Sequence, residues 1–217
     1  MALQLREGLT LYFCRHGETE ANVELRFQGR TLDTPLTPRG RDQAHAIAQC
    51  LKKEAPDPAA LAYVCSPLQR ACTTMEIIRG DLGLAQGGYD TDPRLQEIDL
   101  GAWDGLTDAE ARALDPVKFV ERGNDKWNVR VPGGGENYAD VAARAESWIR
   151  DLAADTFAVS HGAFTRILRG LFMGADWKAM SGLDERQGVL FRVRGNTLKR
   201  FDPPEELSKP VGPHPPG

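Results

Sequence analysis

Leu9-Thr10-Leu11-Tyr12-Phe13-Cys14-Arg15-His16-Gly17-Glu18-Thr19 opens on an apolar run and ends on an Arg-His pair followed by glycine. The run reads as a buried strand. The pair then places a fixed cation and a titratable nucleophile at the strand's carboxyl edge, where open α/β sheets bind their ligands. One residue can hold an anion there while its neighbour reacts with it.

Two further stretches repeat the pattern. Leu61 to Cys65 runs into Ser66-Pro67-Leu68-Gln69-Arg70, and Phe157 to Ser160 runs into His161-Gly162-Ala163. In a parallel sheet all three ends lie on one edge. Ser66-Pro67 reads as a cap-and-proline helix start, which sets Arg70 about one turn into its helix. Helical side chains lean back toward the N-terminus, so Arg70 reaches over the edge. Helix N-termini add N–H groups and partial positive charge. Two guanidinium groups and two imidazoles therefore converge on a pocket suited to a phosphate dianion.

Strand-like and helix-period segments alternate around these sites, which predicts an α/β fold, three layers deep, with a mostly parallel central sheet. Thr37-Pro38 starts a helix whose apolar face is Ala44, Ile47, Ala48 and Leu51, ended by Pro56 and Pro58. Thr91 to Ile98 reads as a short strand. Thr107-Asp108-Ala109-Glu110 is a capping box. Asp115 to Gly135 has no clear period and reads as part of a lid-like insertion, about 106–136. Asn137 caps a helix to about Ala153, and 189–193 with 197–201 form a hairpin around Gly195-Asn196. Residues 1–202 are expected to form a single domain. The tail 203–217, with six prolines, is expected to be disordered.

The 217 residues are 41% hydrophobic and 27% charged, with a formal net charge of −4. That balance suits a globular enzyme and argues against nucleic acid as a partner. No apolar stretch has the length of a membrane span, and no secretory signal is evident, so a cytoplasmic protein without membrane association is expected. Cys14, Cys50, Cys65 and Cys72 form no C-x-x-C pair and read as reduced thiols.

Phosphoryl chemistry needs a nucleophile and a proton donor for the leaving oxygen. No G-x-x-x-x-G-K-S/T loop occurs. With four histidines and no carboxylate cluster at ligand spacing beside them, no metal or other cofactor is expected. Direct attack by His16 is the economical reading. The acid is Glu97 or Asp99, in Leu95-Gln96-Glu97-Ile98-Asp99-Leu100-Gly101.

At this point the chain resembles the histidine phosphatase superfamily, the phosphoglycerate-mutase-like branch. The resemblance is carried by residues 15–19, Asn22, Phe27-Gln28-Gly29, Pro35-Leu36-Thr37-Pro38-x-Gly40, Ser66-Pro67-Leu68-Gln69-Arg70-Ala71, Leu95-x-Glu97-x-x-x-Gly101-x-Trp103-Asp104-Gly105, Gly135-Glu136-Asn137 and Ser160-His161-Gly162. It implies a phosphoglycerate-mutase-like fold, with His16 as the residue that becomes phosphohistidine. Arg15, Arg70 and His161 then hold the phosphoryl oxygens, and Asn22 adds a phosphate contact. Glu97 is the implied acid, and Gln28, Gly29, Gly162 and Ala163 match substrate-side positions. The family's mutases carry a Tyr and a Lys soon after the acid and an Arg-Arg pair in the insertion. Here Leu100 and Asp108 stand at the first two positions, and no Arg-Arg pair follows Gly105 before Gly135. Hydrolysis is expected over mutase activity, on a small phosphosugar or phosphoglycerate-like metabolite, by a monomer or homodimer. Lys118, Arg122, Lys126 and Arg130 lie in the insertion, where they can meet a second anionic group or form a solvated face.

Overall fold

The computed structural model describes residues 2–208. Strand β1 (Thr10–Arg15) is central in a six-stranded sheet of order β3-β2-β4-β1-β5-β6. Its neighbours are β4 (Thr156–Ser160), which is parallel, and β5 (Leu190–Arg194), which is antiparallel. On the far side of β4, β2 (Ala62–Cys65) and the two-residue β3 (Asp90–Thr91) continue the parallel part. The antiparallel edge is the β5–β6 hairpin, with β6 at Thr197–Phe201 and Gly195 in the left-handed region at its turn.

Period-two alternation divides β1 between two cores. Leu11 and Phe13 pack with Phe164, Ile167 and Leu168 of one helical layer, while Tyr12 and Cys14 pack with Ala44, Ile47, Leu51 and Met75 of the other. After a single turn, α1 (Glu20–Val23), the second layer is built by α2 (Pro38–Glu54) and α3 (Gln69–Asp81). Three layers and a mostly parallel sheet result, as the alternation of segments predicts.

Several boundaries differ from expectation. Thr91 to Ile98 is not a strand: pairing stops at Thr91, and Asp92 caps a single 3-10 turn at Pro93–Leu95. The insertion is more regular than its pattern suggests. Thr107 forms the expected capping box with Glu110 ahead of α4 (Asp108–Leu114), and Asp115-Pro116 then starts a second helix, α5 (Pro116–Asn124). The side chain of Asp115 accepts from the Lys118 N–H, a cap-plus-proline start whose signal was local rather than periodic. Asn137 caps α6 (Tyr138–Asp151) as expected. Helix α7 (Gly162–Met173) follows β4, and a short α8 (Trp177–Ser181) follows it. The start of the proline-rich segment is not wholly irregular. Glu205–Ser208 forms a turn, α9, and the Leu207 carbonyl accepts from Arg39 and Gln43. Residues 209–217 lie outside the described residues.

Candidate active site

Registry brings the two histidines together. Arg15 pairs with Ser160 across β1 and β4, and the His16 N–H donates to the Ser160 carbonyl at 2.9 Å. His16 and His161 therefore leave the sheet side by side, with ring centroids 5.1 Å apart. Both are buried. Gly17 allows the turn: a Cβ there would collide with the Gly40 carbonyl of α2. A Cβ on Gly40 would in turn meet the carbonyl of Glu18.

Arg70 reaches the same edge by a different route from the one expected. Helix α3 begins at Gln69, so Arg70 sits within the first two residues rather than a turn in. Ser66 accepts from the Leu68 N–H instead of capping the helix. The cap comes from afar: Asp33 accepts from the N–H groups of Gln69 (2.5 Å) and Arg70 (3.4 Å). Asp33 also pairs with the Arg70 guanidinium at 3.0 Å. The remaining Arg70 donors go to the carbonyls of Gly29 (2.7 Å) and Leu32 (3.2 Å), leaving Nε aimed at both imidazoles.

That last contact fixes the tautomers. Arg70 Nε is 3.2 Å from His16 Nε2 and 3.2 Å from His161 Nδ1. A guanidinium only donates, so both ring nitrogens are unprotonated. His16 Nδ1 lies 2.7 Å from the Gly17 carbonyl and carries the proton, leaving the Nε2 lone pair directed into the site. Burial, then Arg70 and Arg15, hold the His16 pKa well below the ordinary imidazole value. His16 is thus a neutral imidazole with an unprotonated Nε2. His161 must carry its proton on Nε2, and among the described residues that buried atom has no partner; neither has the buried Nε of Arg15. Two orphaned donors beside the unprotonated His16 Nε2 ask for an acceptor-rich ligand, since an unsatisfied buried donor costs about 1–3 kcal/mol.

Between the two acid candidates, geometry separates the roles. Glu97 is buried, with Oε2 accepting from the Ala163 N–H at the start of α7 (3.3 Å) and Oε1 from its neighbour Ile98 (2.9 Å). Burial raises its pKa first and the carboxylate of Glu185 second, against the Ile98 N–H, Arg15 and Arg70. Asp99 instead accepts from the Gly101 N–H and braces a turn. The main chain of Glu97 is held by Arg30 (2.9 Å) and Arg144 (3.2 Å), both of which also pair with Glu136.

The substrate-side residues divide. Asn22 closes the capping box of α1, and its side-chain oxygen accepts from the Thr19 N–H (3.2 Å) and from Gln187 (2.7 Å). The Gln28 amide is engaged by Thr19 and Thr34, so it braces the loop rather than facing the imidazoles. Gly29 supplies its carbonyl to Arg70 and its N–H to Asp104. Gly162 and Ala163 open α7. In the insertion Lys118 pairs with Glu121 and Arg130 with Asp140, a solvated face. Arg122 and Lys126 turn inward. Arg122 is buried over the Tyr138 ring, and burial pushes the Lys126 ammonium down to about 8. Trp103 packs against Phe27 and Phe119 in a separate small core.

Contributors that escaped the sequence reading include Asp33, Arg166 and Glu185, besides Arg30 and Arg144. Arg166 lies off the α7 face formed by Phe164, Ile167 and Leu168, so the apolar period does not mark it. Glu185 lies in a loop between α8 and β5 with no motif around it. Its Oε1 is 3.2 Å from Arg166, and its carbonyl accepts from Arg15 at 2.6 Å. Among the described residues, no group of three His, Cys, Asp or Glu side chains is placed to hold a metal ion, and no helix is long and apolar enough to cross a membrane.

Comparison with known proteins places this geometry. The model of the histidine phosphatase superfamily (branch 1) matches residues 11–195. A glucosyl-3-phosphoglycerate phosphatase of Mycolicibacterium vanbaalenii is 32% identical over 209 residues, covering 89% of this chain and 87% of that protein. Among solved structures, YhfR of Bacillus stearothermophilus superposes with a TM-score of 0.74 at 32% identity, over 88% of this chain and 95% of its own. A mycobacterial glucosyl-3-phosphoglycerate phosphatase in complex with VO3 gives 0.71 at 30%, over 89% and 97%. The chain belongs to the histidine phosphatase superfamily, branch 1.

Proposed function

We propose that this chain is a phosphatase that hydrolyses small phosphate monoesters through a phosphohistidine on His16. The observation that carries the reading is the pairing of an unprotonated Nε2 on His16, held by the shared Arg70 N–H, with the orphaned donors of His161 and Arg15. The phosphoryl group accepts from those donors while His16 Nε2 attacks phosphorus. As the bond to the leaving oxygen breaks, that oxygen takes the Glu97 proton. Water then attacks the phosphohistidine, Glu97 takes a proton from it, and inorganic phosphate leaves. Such a transition state spreads charge over three oxygens, so fixed cations and alignment supply most of the rate. No metal enters this scheme.

For the substrate, we infer a phosphosugar or phosphoglycerate-like ester bearing a second anionic group. Arg122, Lys126 and Arg166 gather around Tyr138, and among the described residues Glu185 is the carboxylate paired with them, leaving net positive charge beside the reacting groups. The mycobacterial relative is named for such an ester, a glycosylated phosphoglycerate. Hydrolysis, not mutase transfer, is the reading that relative supports. The four free thiols accord with a cytoplasmic location.

The test is rapid-quench labelling, with the quench into alkaline denaturant. Protein mixed with a 32P-labelled phosphate ester should carry acid-labile, base-stable label, absent in His16→Ala. Turnover should survive EDTA. Equal labelling of His16→Ala would sink the assignment.

A further inference from the structure

Glu97 and Glu185 come from different loops to the same helix start. The Ala163 N–H of α7 donates to Glu97 Oε2. One residue earlier, the position of a Cβ on Gly162 would be 2.6 Å from Glu185 Oε2 and 3.3 Å from the Arg15 guanidinium carbon. A side chain at residue 162 would push the Glu185 carboxylate away from this place.

The loop that carries Glu185 is fixed from several sides. Arg15 holds its carbonyl, and Arg166 holds its carboxylate. The preceding Asp184 accepts from Arg169 through its carbonyl and pairs with Arg200 at 2.6 Å. Two residues on, Gln187 donates to Asn22. About a quarter of the Glu185 side chain is exposed, yet it is not free to leave.

We propose that Glu185 is a positioning residue for proton delivery: its carboxylate, anchored by Arg166 beside the first turn of α7, keeps the proton on Glu97 until the leaving oxygen takes it. The inference rests on the reading of Glu97 as the proton donor. Arg15 faces Glu97 from β1, Arg70 from α3 and Arg166 from α7, together with the neutral imidazoles of His16 and His161, while Arg30 and Arg144 of α6 reach its carbonyl. Cations on this scale favour loss of the proton. Glu185 is the carboxylate that acts against them. Burial works to raise the Glu185 carboxyl, but Arg166, Arg15, Lys126 and Arg169 outweigh it and hold the group ionised.

The direct test is a 13C NMR titration of protein labelled at the glutamate carboxyl carbons, with the Glu97 signal assigned by its loss in Glu97→Gln. In Glu185→Gln, which keeps the size and a hydrogen bond to Arg166, the Glu97 midpoint should move to lower pH. In Glu185→Asp, which keeps the charge, it should stay nearer the wild-type midpoint. Equal midpoints in wild type and Glu185→Gln overturn the proposal, whatever either protein's turnover. Kinetics give a second readout. For an alkyl phosphate, the alkaline limb of kcat/KM should move to lower pH in Glu185→Gln than in wild type. A loss uniform across pH marks a structural role only and overturns it. If Glu97→Gln itself leaves alkyl-phosphate turnover intact, the reading of Glu97 fails, a result distinct from an unshifted midpoint.

Discussion

Arg70 Nε stands 3.2 Å from His16 Nε2 and 3.2 Å from His161 Nδ1, so one N–H sets the proton positions of both imidazoles. The contact orients the His16 ring while leaving its Nε2 unprotonated. It also turns His161 into a donor on its far side. Lysine cannot reproduce this, because a single ammonium cannot serve Gly29, Leu32, Asp33 and two rings together. Arg70→Lys should lower kcat/KM by about 10²–10³, the loss typical of a removed transition-state donor. Steady-state kinetics on p-nitrophenyl phosphate check it.

The pH profile follows from two opposed displacements. His16 must be neutral to attack, and burial with Arg70 and Arg15 lowers its pKa, so the acid limb of kcat/KM should lie below the ordinary imidazole value of about 6.5. Glu97 must be protonated to donate, and burial with Glu185 raises its pKa, so the alkaline limb should lie above the ordinary carboxyl value of about 4.3. Activity should fall as pH drops through the first and as it rises through the second. Profiles corrected for substrate ionisation measure both limbs.

Proton donation matters most when the leaving oxygen is basic. Glu97→Gln should cost about 10²–10⁴ in kcat for an alkyl phosphate and much less for p-nitrophenyl phosphate. A loss independent of the leaving group would point to another acid.

If Arg122 and Lys126 meet a second anion, their loss should be read in KM. Arg122→Gln and Lys126→Met should each raise KM about tenfold for a phosphoglycerate or sugar bisphosphate, the scale of one charged hydrogen bond. KM for p-nitrophenyl phosphate should stay unchanged.

The close approach of Gly17 to Gly40 makes a stability prediction. Gly17→Ala would drive a methyl into the Gly40 carbonyl, where backbone rather than a flexible side chain must give way. Urea unfolding should show a loss of about 1–3 kcal/mol.

What the sequence disclosed was whatever a short stretch encodes. Apolar runs ending in Arg15-His16 and His161 located two strand ends, and the capping residues Thr37, Thr107 and Asn137 located three helix starts. Arg70 was found, but its helix start was misplaced, because the cap is Asp33, distant in sequence. Glu97 and Asp99 could not be parted by spacing. The family resemblance favoured Glu97, and in the structure it is Glu97 that reaches the N–H of Ala163, a contact across 66 residues. Glu185 left no trace in its own segment, since its place depends on Arg15 and Arg166. The helix α5 hid behind the absence of a long apolar period, although Asp115-Pro116 announced it locally.

Glu136 pairs with Arg30, from the loop beside Gly29, and with Arg144, from α6, and both arginines grip the Glu97 carbonyl. Gly29 in turn grips Arg70. In the proposed reaction, one carboxylate thus ties the proton donor to the clamp on His16. Substitutions at 30, 136 and 144 should therefore be strongly epistatic: once one has gone, losing a second should cost little more. The three side chains thus behave as one unit whose parts cannot be valued singly.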